Sequence, residues 1–302
     1  MNKAHFNVDR NIKHLLSYPQ YSYSLSEVNL RKIPHKKKLA IVSIKSQSTI
    51  TRNVLNNLPA LKCLITRTVG TDHIDLIACK ERAILVKNIP DYGSYNIAEH
   101  ALALLLSGAR NIVQANHEVH DGHFDYSNFL GVLLQGKTVG VMGTGRIGLE
   151  LIKLLKAFKV EIIAYDIIQN IQAAKEFSFS YVPLNVLLKK SDFISIHIPL
   201  LPSTHHLIGE KEMKVMKEGV VLVNTSRGEI INTKSLIEYI KKCKAVCLDV
   251  VEEEKNFPRN NPLLAYNNVI ITPHIAFYTD DSIKTIAEKT EKYMKEFFKI
   301  NY

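Results

Sequence analysis

The chain has 302 residues, 46% of them hydrophobic, and a formal net charge of +10. A chain of this size can bury roughly three-quarters of its unfolded surface, usually in two domains. No segment is apolar over the length that crosses a bilayer, and the first nine residues do not resemble a signal peptide. We therefore predict no membrane partner and a cytoplasmic location.

The positive charge has two interpretations. It could mark a protein that binds nucleic acid or an acidic surface, or it could reflect a lysine-rich composition that keeps the chain in solution. The cations form one cluster, at residues 31–38, and no aromatic residues alternate with them. We therefore predict no nucleic-acid partner, although positive potential would help to collect a small anionic substrate and an anionic cofactor.

The four cysteines match no zinc-binding spacing, so we predict no metal site. They are Cys63, Cys79, Cys243 and Cys247. Three of them lie in or beside apolar, strand-like runs, where small buried thiols are common. Reduced cysteines in a cytosolic protein are the expected state.

From residue 38 onward, the sequence alternates between strand-like and helix-like patterns. Apolar runs at 39–44 and 61–66 predict buried strands, with a helix at 51–58 between them, and the run at 83–86 predicts a third strand. These steps predict a small doubly wound domain. Pro90 and Gly93 then break the pattern.

Ser94 is the predicted N-cap of a long helix over residues 95–118. Beyond residue 136 seven strands are predicted, at 138–142, 160–165, 179–182, 193–198, 220–225, 245–250 and 269–272. They make a complete doubly wound sheet. A last helix over 281–298 follows this sheet and is predicted to pack on the first domain.

The predicted fold class is therefore α/β, with two doubly wound domains. A Rossmann domain, residues 93–274, is inserted in a smaller flavodoxin-like domain made of residues 1–92 and 275–302. The chain would cross twice between them, with a hinge near residues 90–95 and 274–278.

The first strand of the larger domain leads into the glycine pattern of a dinucleotide-binding turn. Gly143 permits the tight turn, Gly145 lets a pyrophosphate approach the backbone, and Gly148 lets helix and strand pack closely. The helix over 147–158 points its unpaired amides at the phosphates. A plain βαβ turn is the alternative, since glycines gather in any tight turn, but here both flanking strands are also present.

Asp166 strengthens this prediction and bears on the choice of cofactor. It lies about 20 residues beyond the glycines, where a carboxylate accepts hydrogen bonds from a ribose hydroxyl. A carboxylate there would repel a 2′-phosphate, and the following Ile167 and Ile168 supply no cation to receive one. NAD is therefore the predicted cofactor, rather than NADP.

Polar residues end three strands of the same sheet, where a ligand crevice is expected. Arg227 follows one strand, Asp249 ends another with the acidic run 252–254 behind it, and His274 follows the last. An arginine fork suits a carboxylate, and a glutamate beside histidine stabilises its charged form. The plain alternatives are a surface arginine with an ion partner, a solvated acidic loop and a histidine that caps a strand.

In seven stretches the chain resembles the D-isomer-specific 2-hydroxyacid dehydrogenases, especially the bacterial D-lactate dehydrogenase branch. The stretches follow the family's order and cover nearly all of the chain from about Lys38: 67–76, 97–100, 139–148, 196–199, 224–228, 248–250 and 272–279. The resemblance implies that Arg227 is the catalytic arginine and His274 the acid–base residue. It also selects Glu254, rather than its two acidic neighbours, as the partner of His274.

The resemblance further implies a set of ligand-binding residues. The backbone amides of Val69 and Gly70 would hold the substrate carboxylate, and Tyr92, Phe277 and Tyr278 would lie near the substrate. The implied cofactor-binding residues are Gly143, Thr144, Gly145, Arg146, Ile147, Gly148, Asp166, His197, Pro199, Thr225, Ser226 and Asp249.

Three features depart from the family's pattern. The region before Lys38 is not clearly like the family. Ser94 stands where the lactate branch often has proline, and the run at 251–254 is more acidic than usual.

The expected activity is reduction of a short 2-oxo acid, best pyruvate to D-lactate, with hydride from NADH and a proton from His274. Domain closure would expel water from the site. The alternatives are the same chemistry on glyoxylate, hydroxypyruvate, phosphoglycerate or a larger 2-oxo acid, and an NAD-sensing protein without catalysis. The family is usually dimeric, so we expect a homodimer with the helix around 97–115 in its interface. The apolar run at 101–106 fits that place, but it fits an ordinary buried helix as well.

Overall fold

A computed structural model describes residues 2–6, 8, 10–17, 19–33 and 35–301. Of the N-terminal stretch and the basic cluster discussed above, positions 1, 7, 9 and 34 lie outside the described residues. The chain forms two compact units, Met1–Gly93 with Tyr278–Tyr302, and Ser94–Phe277. None of the described helices combines the length and the apolar composition that a membrane span needs. The cytoplasmic location stays a prediction.

The first unit is built on a five-stranded parallel sheet. Its strands are β1 (Asn2–Phe6), β2 (Gln20–Tyr21), β3 (Leu39–Ile44), β4 (Cys63–Thr66) and β5 (Leu85–Lys87). The order β2-β1-β3-β4-β5 is the flavodoxin-like one, as predicted. Every residue of β3 and β4 is buried, which explains why their sequences are mostly apolar.

Short helices connect these strands. They are α1 (Arg52–Asn56), α2 (Leu76–Glu81) and the 3-10 helices Arg10–Leu15, Glu27–Lys32 and Lys36–Lys38. Both α-helices begin at a side-chain cap: Thr51 accepts a hydrogen bond from the Val54 amide, and Asp75 accepts one from the Ala78 amide.

A buried polar cluster joins β1 to the neighbouring strands. The Nδ1 atom of His5 lies 2.8 Å from the Ser43 hydroxyl, and the buried Arg67 guanidinium donates to the Ser43 hydroxyl and to the Phe6 carbonyl. Burial, followed by the charges of Arg67 and Lys3, lowers the pKa of His5 to about 3. His5 is therefore a neutral ring inside the first unit.

The second unit is built on a seven-stranded parallel sheet. It begins with α3 (Ser94–Arg110) and α4 (Ile112–His120). The strands that follow are β6 (Thr138–Met142), β7 (Glu161–Tyr165), β8 (Ser180–Tyr181), β9 (Phe193–Ile196), β10 (Val221–Asn224), β11 (Ala245–Leu248) and β12 (Val269–Ile271). All seven predicted strands are present. Their order, β12-β11-β10-β9-β6-β7-β8, is the Rossmann order with one strand added.

Helices cover this sheet. They are α5 (Arg146–Leu155), α6 (Ile171–Phe177), α7 (Leu184–Lys190), α8 (Glu210–Val215), α9 (Thr233–Tyr239) and the 3-10 helices Lys156–Phe158, Gly228–Ile230, Ile240–Lys242, Glu254–Asn256 and Pro262–Ala265. The last helix, α10 (Asp280–Asn301), belongs to the first unit, where it contacts the 3-10 helix Arg10–Leu15 and β4.

The prediction of one helix over 95–118 is wrong. The helix stops at Arg110 and restarts at Ile112, because Asn111 adopts a left-handed backbone with φ of 52°. Asparagine tolerates this conformation better than most residues. Ser94 is the first residue of α3 rather than its cap.

Candidate active site

The three glycines of the turn between β6 and α5 have different surroundings. Gly143 has φ of 94°, and a Cβ there would come within 2.8 Å of the His197 backbone. At Gly148 a Cβ would lie closer than 3.0 Å to the Gly143 carbonyl oxygen. At Gly145 a Cβ would meet no described atom within 4 Å. The turn is therefore closed on its protein side and open at Gly145, beside the N-terminus of α5, as a cradle for a pyrophosphate requires.

Asp166 lies at the end of β7 and holds this turn. Its carboxylate accepts hydrogen bonds from the Thr144 amide at 2.7 Å and the Thr144 hydroxyl at 3.0 Å, and from the Ile168 amide at 3.1 Å. The Tyr181 hydroxyl lies 2.7 Å from the Thr144 hydroxyl, a contact that the sequence did not predict. Ile167 and Ile168 are both 80% exposed, so apolar surface follows the carboxylate.

Residues after β9 and β10 border the same end of the sheet. The His197 ring lies 2.8 Å from the Ser195 hydroxyl, and burial lowers the pKa of His197 to about 4, so the ring is neutral. The Pro199 carbonyl accepts from the Thr204 hydroxyl. The Ser226 hydroxyl donates to the Ile198 carbonyl.

Thr225 differs from these residues. It is buried, and its hydroxyl finds no hydrogen-bond partner among the described residues. Because an unpaired buried hydroxyl is costly, this atom is one that a bound cofactor could satisfy.

His274 and Glu254 are brought together. The Nδ1 atom of His274 lies 3.0 and 3.1 Å from the two carboxylate oxygens of Glu254. The two side chains are 26% and 34% exposed, so a ligand can reach the pair. The His274 backbone is left-handed, with φ of 55°, and its amide donates to the Asp249 carbonyl at 2.8 Å. The Phe277 ring stands edge-on to the imidazole, with centroids 6.3 Å apart.

The other two glutamates of the acidic run have different surroundings. Glu252 pairs with His206, whose Nε2 lies 2.6 Å from the carboxylate. Glu253 is exposed and left-handed, with φ of 57°. Of the three, Glu254 is therefore the one that faces His274, whereas the His206 contact of Glu252 was missed by sequence reasoning.

Asp249 lies beneath the His274 loop. Its carboxylate accepts hydrogen bonds from the Thr272 hydroxyl at 2.6 Å and from the amides of Ile275 and Ala276 at 2.9 Å, and His100 lies 3.5 Å away. Burial by itself would raise the pKa of Asp249, but these hydrogen bonds outweigh it and the pKa is lowered. Its side chain has no exposed surface. The geometry makes Asp249 an anchor of the loop; its predicted contact with the cofactor stays a prediction.

Arg227 follows β10 in a fixed turn. The Asn224 side chain donates to the Arg227 carbonyl at 2.9 Å and accepts from the Ser226 amide at 3.0 Å. One guanidinium nitrogen of Arg227 donates to the Ser226 carbonyl at 2.8 Å. The next residue, Gly228, has no room for a Cβ, which would come closer than 3.0 Å to the Val251 carbonyl.

The remaining predicted substrate residues, apart from Phe277, belong to the first unit. The Val69 carbonyl accepts from the Asn88 side chain at 2.7 Å, and the Gly70 carbonyl accepts from the Thr68 hydroxyl at 2.6 Å. The Tyr92 carbonyl accepts from the Ser282 hydroxyl, and the Lys45 ammonium lies 5.9 Å from the centre of the Tyr278 ring.

Comparison with known proteins identifies the family. Residues 102–276 match the NAD binding domain of the D-isomer specific 2-hydroxyacid dehydrogenases. A glyoxylate reductase of Thermococcus litoralis is 40% identical over 259 residues, which cover 83% of this chain and 78% of the relative. A D-3-phosphoglycerate dehydrogenase of Methanocaldococcus jannaschii is 39% identical over 262 residues, 84% of this chain, but the chain spans only about half of its length.

Solved structures agree. The D-lactate dehydrogenase of Aquifex aeolicus, complexed with NAD and lactic acid, superposes with a TM-score of 0.90 at 34% identity, covering 99% of this chain and 96% of its own. The D-lactate dehydrogenase of Escherichia coli gives 0.87 at 30% identity, with 99% and 97% covered. The chain therefore belongs to the D-isomer specific 2-hydroxyacid dehydrogenase family, and NAD is the cofactor of its second unit.

Proposed function

We propose that this protein is a D-2-hydroxyacid dehydrogenase that reduces a short 2-oxo acid, with pyruvate to D-lactate as the preferred reaction. The observation that carries the proposal is the His274–Glu254 pair, at 3.0 and 3.1 Å, at the end of the sheet that holds the dinucleotide turn. A charged imidazole beside a carboxylate is a proton donor suited to reduction of a carbonyl.

The geometry assigns each group a task. Because Nδ1 of His274 donates to Glu254, Nε2 is the atom that gives its proton to the substrate oxygen. Glu254 fixes the tautomer and the orientation of the ring. Arg227 would bind the substrate carboxylate through its guanidinium fork. We also propose the Val69 and Gly70 amides for this carboxylate, on the strength of the motif resemblance.

The cofactor would be held by the residues described above. When bound, NADH supplies the hydride that reduces the carbonyl carbon. The open face of Gly145 and the α5 N-terminus would receive the pyrophosphate, Asp166 the ribose hydroxyls, and the Thr225 hydroxyl a polar group of the cofactor. The exposed Ile167 would line the adenosine side.

The preference for pyruvate rests on two supports. Tyr92, Phe277 and Tyr278 resemble the lactate branch, and their rings favour a small apolar group such as methyl. The solved D-lactate dehydrogenases match almost the whole chain. Glyoxylate is the main alternative, because glyoxylate reductases are among the similar relatives.

A substrate panel tests this choice. The loss of NADH absorbance would be followed with pyruvate, 2-oxobutyrate, phenylpyruvate, oxaloacetate, glyoxylate and hydroxypyruvate. We expect the highest kcat/KM with pyruvate and D-lactate as the product. A higher value for another acid would reassign the substrate, and NADH binding without any turnover would contradict the proposed enzyme.

Replacement of the proton donor tests the mechanism. We expect His274→Gln to lower kcat by about 10²–10⁴-fold, because the general acid is lost. The exposed His117 on α4 offers a matched control, and His117→Gln should keep the wild-type kcat. Full turnover by His274→Gln at neutral pH would refute the assignment.

We also propose a homodimer. In the apolar run of α3, Ala101, Leu104 and Leu105 are buried in the core of the second unit, so a partner is not needed to explain their burial, and the place of α3 in the interface stays a prediction. The segment after α4 instead exposes Phe124 (93%) and Tyr126 (90%), which a second copy of the chain would cover.

A further inference from the structure

We propose that His206 and Glu252 form a clamp that positions Glu254 against His274 and fixes it relative to Arg227. The two clamp residues would therefore set the rate of the reaction without touching the substrate. This inference rests on the proposed function, because it assigns the clamp a role in that same site.

In the hydrogen bonds of the clamp, each donor and each acceptor can be assigned. The Asn232 side-chain oxygen accepts from the Ser235 amide at 2.9 Å, so its amide nitrogen faces Nδ1 of His206, at 3.1 Å. Nδ1 is thus an acceptor, and Nε2 donates to Glu252 at 2.6 Å. The second carboxylate oxygen of Glu252 accepts from the Thr233 amide at 2.8 Å.

Both oxygens of the Glu252 carboxylate are therefore engaged. Burial by itself would raise the pKa of Glu252, but hydrogen bonds from Thr233 and His206 outweigh it, so the pKa is lowered and the group is charged. A charged acceptor makes these bonds stronger than neutral ones.

His206 is fixed to the segment that follows Arg227. Its amide donates to the Glu229 carbonyl at 2.8 Å, and the Ile208 amide donates to the Ile230 carbonyl at 3.0 Å. A parallel bridge between Ile208 and Ile231 continues this pairing. The His206 end of the clamp is therefore anchored beside the loop that carries Arg227.

Gly228 brings the other end into direct backbone contact with the same loop. A Cβ at this position would come closer than 3.0 Å to the Val251 carbonyl and to the Glu252 amide nitrogen. The residue after Arg227 thus packs on the residues that lead into the acidic run. The loop that carries Arg227 and the segment that leads into Glu252 therefore hold each other in position.

The link to Glu254 passes through Glu253. A non-glycine residue with φ of 57° is strained, and such a conformation persists only where contacts on both sides hold it. The clamp holds the Glu252 side, and the contact with His274 holds the Glu254 side. Without the clamp, Glu253 can relax, and the Glu254 carboxylate then moves away from Nδ1.

Two substitutions of similar size test the clamp. His206→Gln keeps a nitrogen donor for Glu252, whereas His206→Met removes it. We expect His206→Met to lower kcat by about tenfold, as loss of an outer positioning contact typically does, with KM for the 2-oxo acid changed less than kcat. His206→Gln should retain most of the wild-type kcat. His117→Gln, at the exposed histidine of α4, is the control and should keep the wild-type kcat.

A second readout is independent of turnover. The imidazole nitrogen resonances of His274 would be recorded by NMR at one fixed pH in wild type, His206→Met and Glu254→Gln. We expect the Nδ1 chemical shift in His206→Met to move toward its value in Glu254→Gln, because the hydrogen bond to Glu254 is lost. A thermal unfolding measurement shows that each variant is folded at the assay temperature, and Glu252→Gln replaces His206→Met if the latter does not fold.

The outcomes separate the two proposals. If wild type reduces no 2-oxo acid, the proposed function fails, and the NMR comparison still decides the clamp. If wild type is active but His206→Met has the wild-type kcat and the wild-type Nδ1 chemical shift of His274, the clamp is refuted. Equal losses in His206→Met and His206→Gln would also refute it, because the donor would then be irrelevant.

Discussion

The substitution Gly145→Ala should weaken cofactor binding without lowering the stability of the free protein. A Cβ at this position meets no described atom within 4 Å, and the backbone φ of −68° suits any residue. The free protein should therefore keep its stability or gain about 0.4–1 kcal/mol, because alanine reduces the freedom of the unfolded chain. In the complex the methyl group would occupy the approach of the pyrophosphate. Overpacking of this kind costs about 1–3 kcal/mol, which raises the Kd for NADH by about 5–150-fold.

Thermal unfolding with and without NADH measures both effects. At an NADH concentration of about 100 times Kd, the ligand stabilises wild type by about 2.7 kcal/mol. If Kd rises about 100-fold, the same concentration stabilises Gly145→Ala by only about 0.4 kcal/mol. Since about 1 kcal/mol moves Tm by about 2–4 °C in a unit of this size, the NADH-dependent shift should almost disappear.

Gly148→Ala is the matched comparison in the same turn. Its Cβ would lie closer than 3.0 Å to the Gly143 carbonyl oxygen, a backbone atom that cannot rotate away. We expect the free protein to lose about 1–3 kcal/mol of stability. Wild-type NADH affinity in Gly145→Ala would refute the cradle, and equal loss of free-protein stability in both variants would refute the distinction between the two glycines.

Three further variants probe other parts of the molecule. Glu254→Gln should lower kcat for reduction by about 10–100-fold, because the imidazole loses the carboxylate that fixes its tautomer and orientation; a wild-type kcat would contradict the pairing. The pKa of His5 is about 3 in the folded protein and about 6.5 in the unfolded chain, so only the unfolded chain takes up this proton between these values. The contribution of neutral His5 to the free energy of unfolding is therefore complete above pH 6.5 and falls as the pH drops toward 3. Between pH 6.5 and 5 this loss is about 2 kcal/mol, and denaturant unfolding of His5→Gln should show a correspondingly weaker pH dependence. Phe124→Ser combined with Tyr126→Ser should halve the mass measured by light scattering; a dimeric double variant would place the interface elsewhere.

The strands of the second unit could be predicted because parallel sheets are covered on both faces. Each of β9, β10 and β11 is wholly buried, so its sequence is mostly apolar, with only Ser195 and Asn224 polar. The first two strands of the chain give no such signal. β1 contains Lys3 and His5, and it buries the imidazole by a hydrogen bond to Ser43 rather than by apolar packing. β2 is only two residues long.

The break between α3 and α4 could not be predicted either. Apolar residues continue across it with helical spacing, and Asn111 is acceptable both in a helix and in the left-handed conformation that it adopts. Which of the two occurs depends on packing: the Asn111 side chain donates to the Leu130 carbonyl at 3.3 Å, and the Val132 amide donates to the Ala109 carbonyl at 2.8 Å. These contacts join residues about 20 positions apart, beyond the reach of local propensity.

The candidate site was predictable in its residue types but not in its pairings. Carboxyl ends of parallel strands meet at one edge of a sheet, which is why Arg227 and His274 could be assigned to one region. Spacing does not distinguish Glu252 from Glu254, since each of them pairs with a histidine. The resemblance to the family selected Glu254, and the structure adds the reason: the left-handed turn at Glu253 directs the two carboxylates to different imidazoles.

Several residues of the site have a left-handed backbone although they are not glycine. His206, Glu253 and His274 are three of the eight non-glycine residues with positive φ in the described part of the chain. Glycine would adopt this backbone without strain, but at His206 and His274 it would remove the imidazole that the contact with glutamate requires. The backbone is held instead by bonds such as the one from the His274 amide to the Asp249 carbonyl. Strain at His274 is therefore the consequence of placing a proton-carrying side chain at a sharp turn, and the loop is maintained there by hydrogen bonds from the Ile275 and Ala276 amides to the buried Asp249 carboxylate.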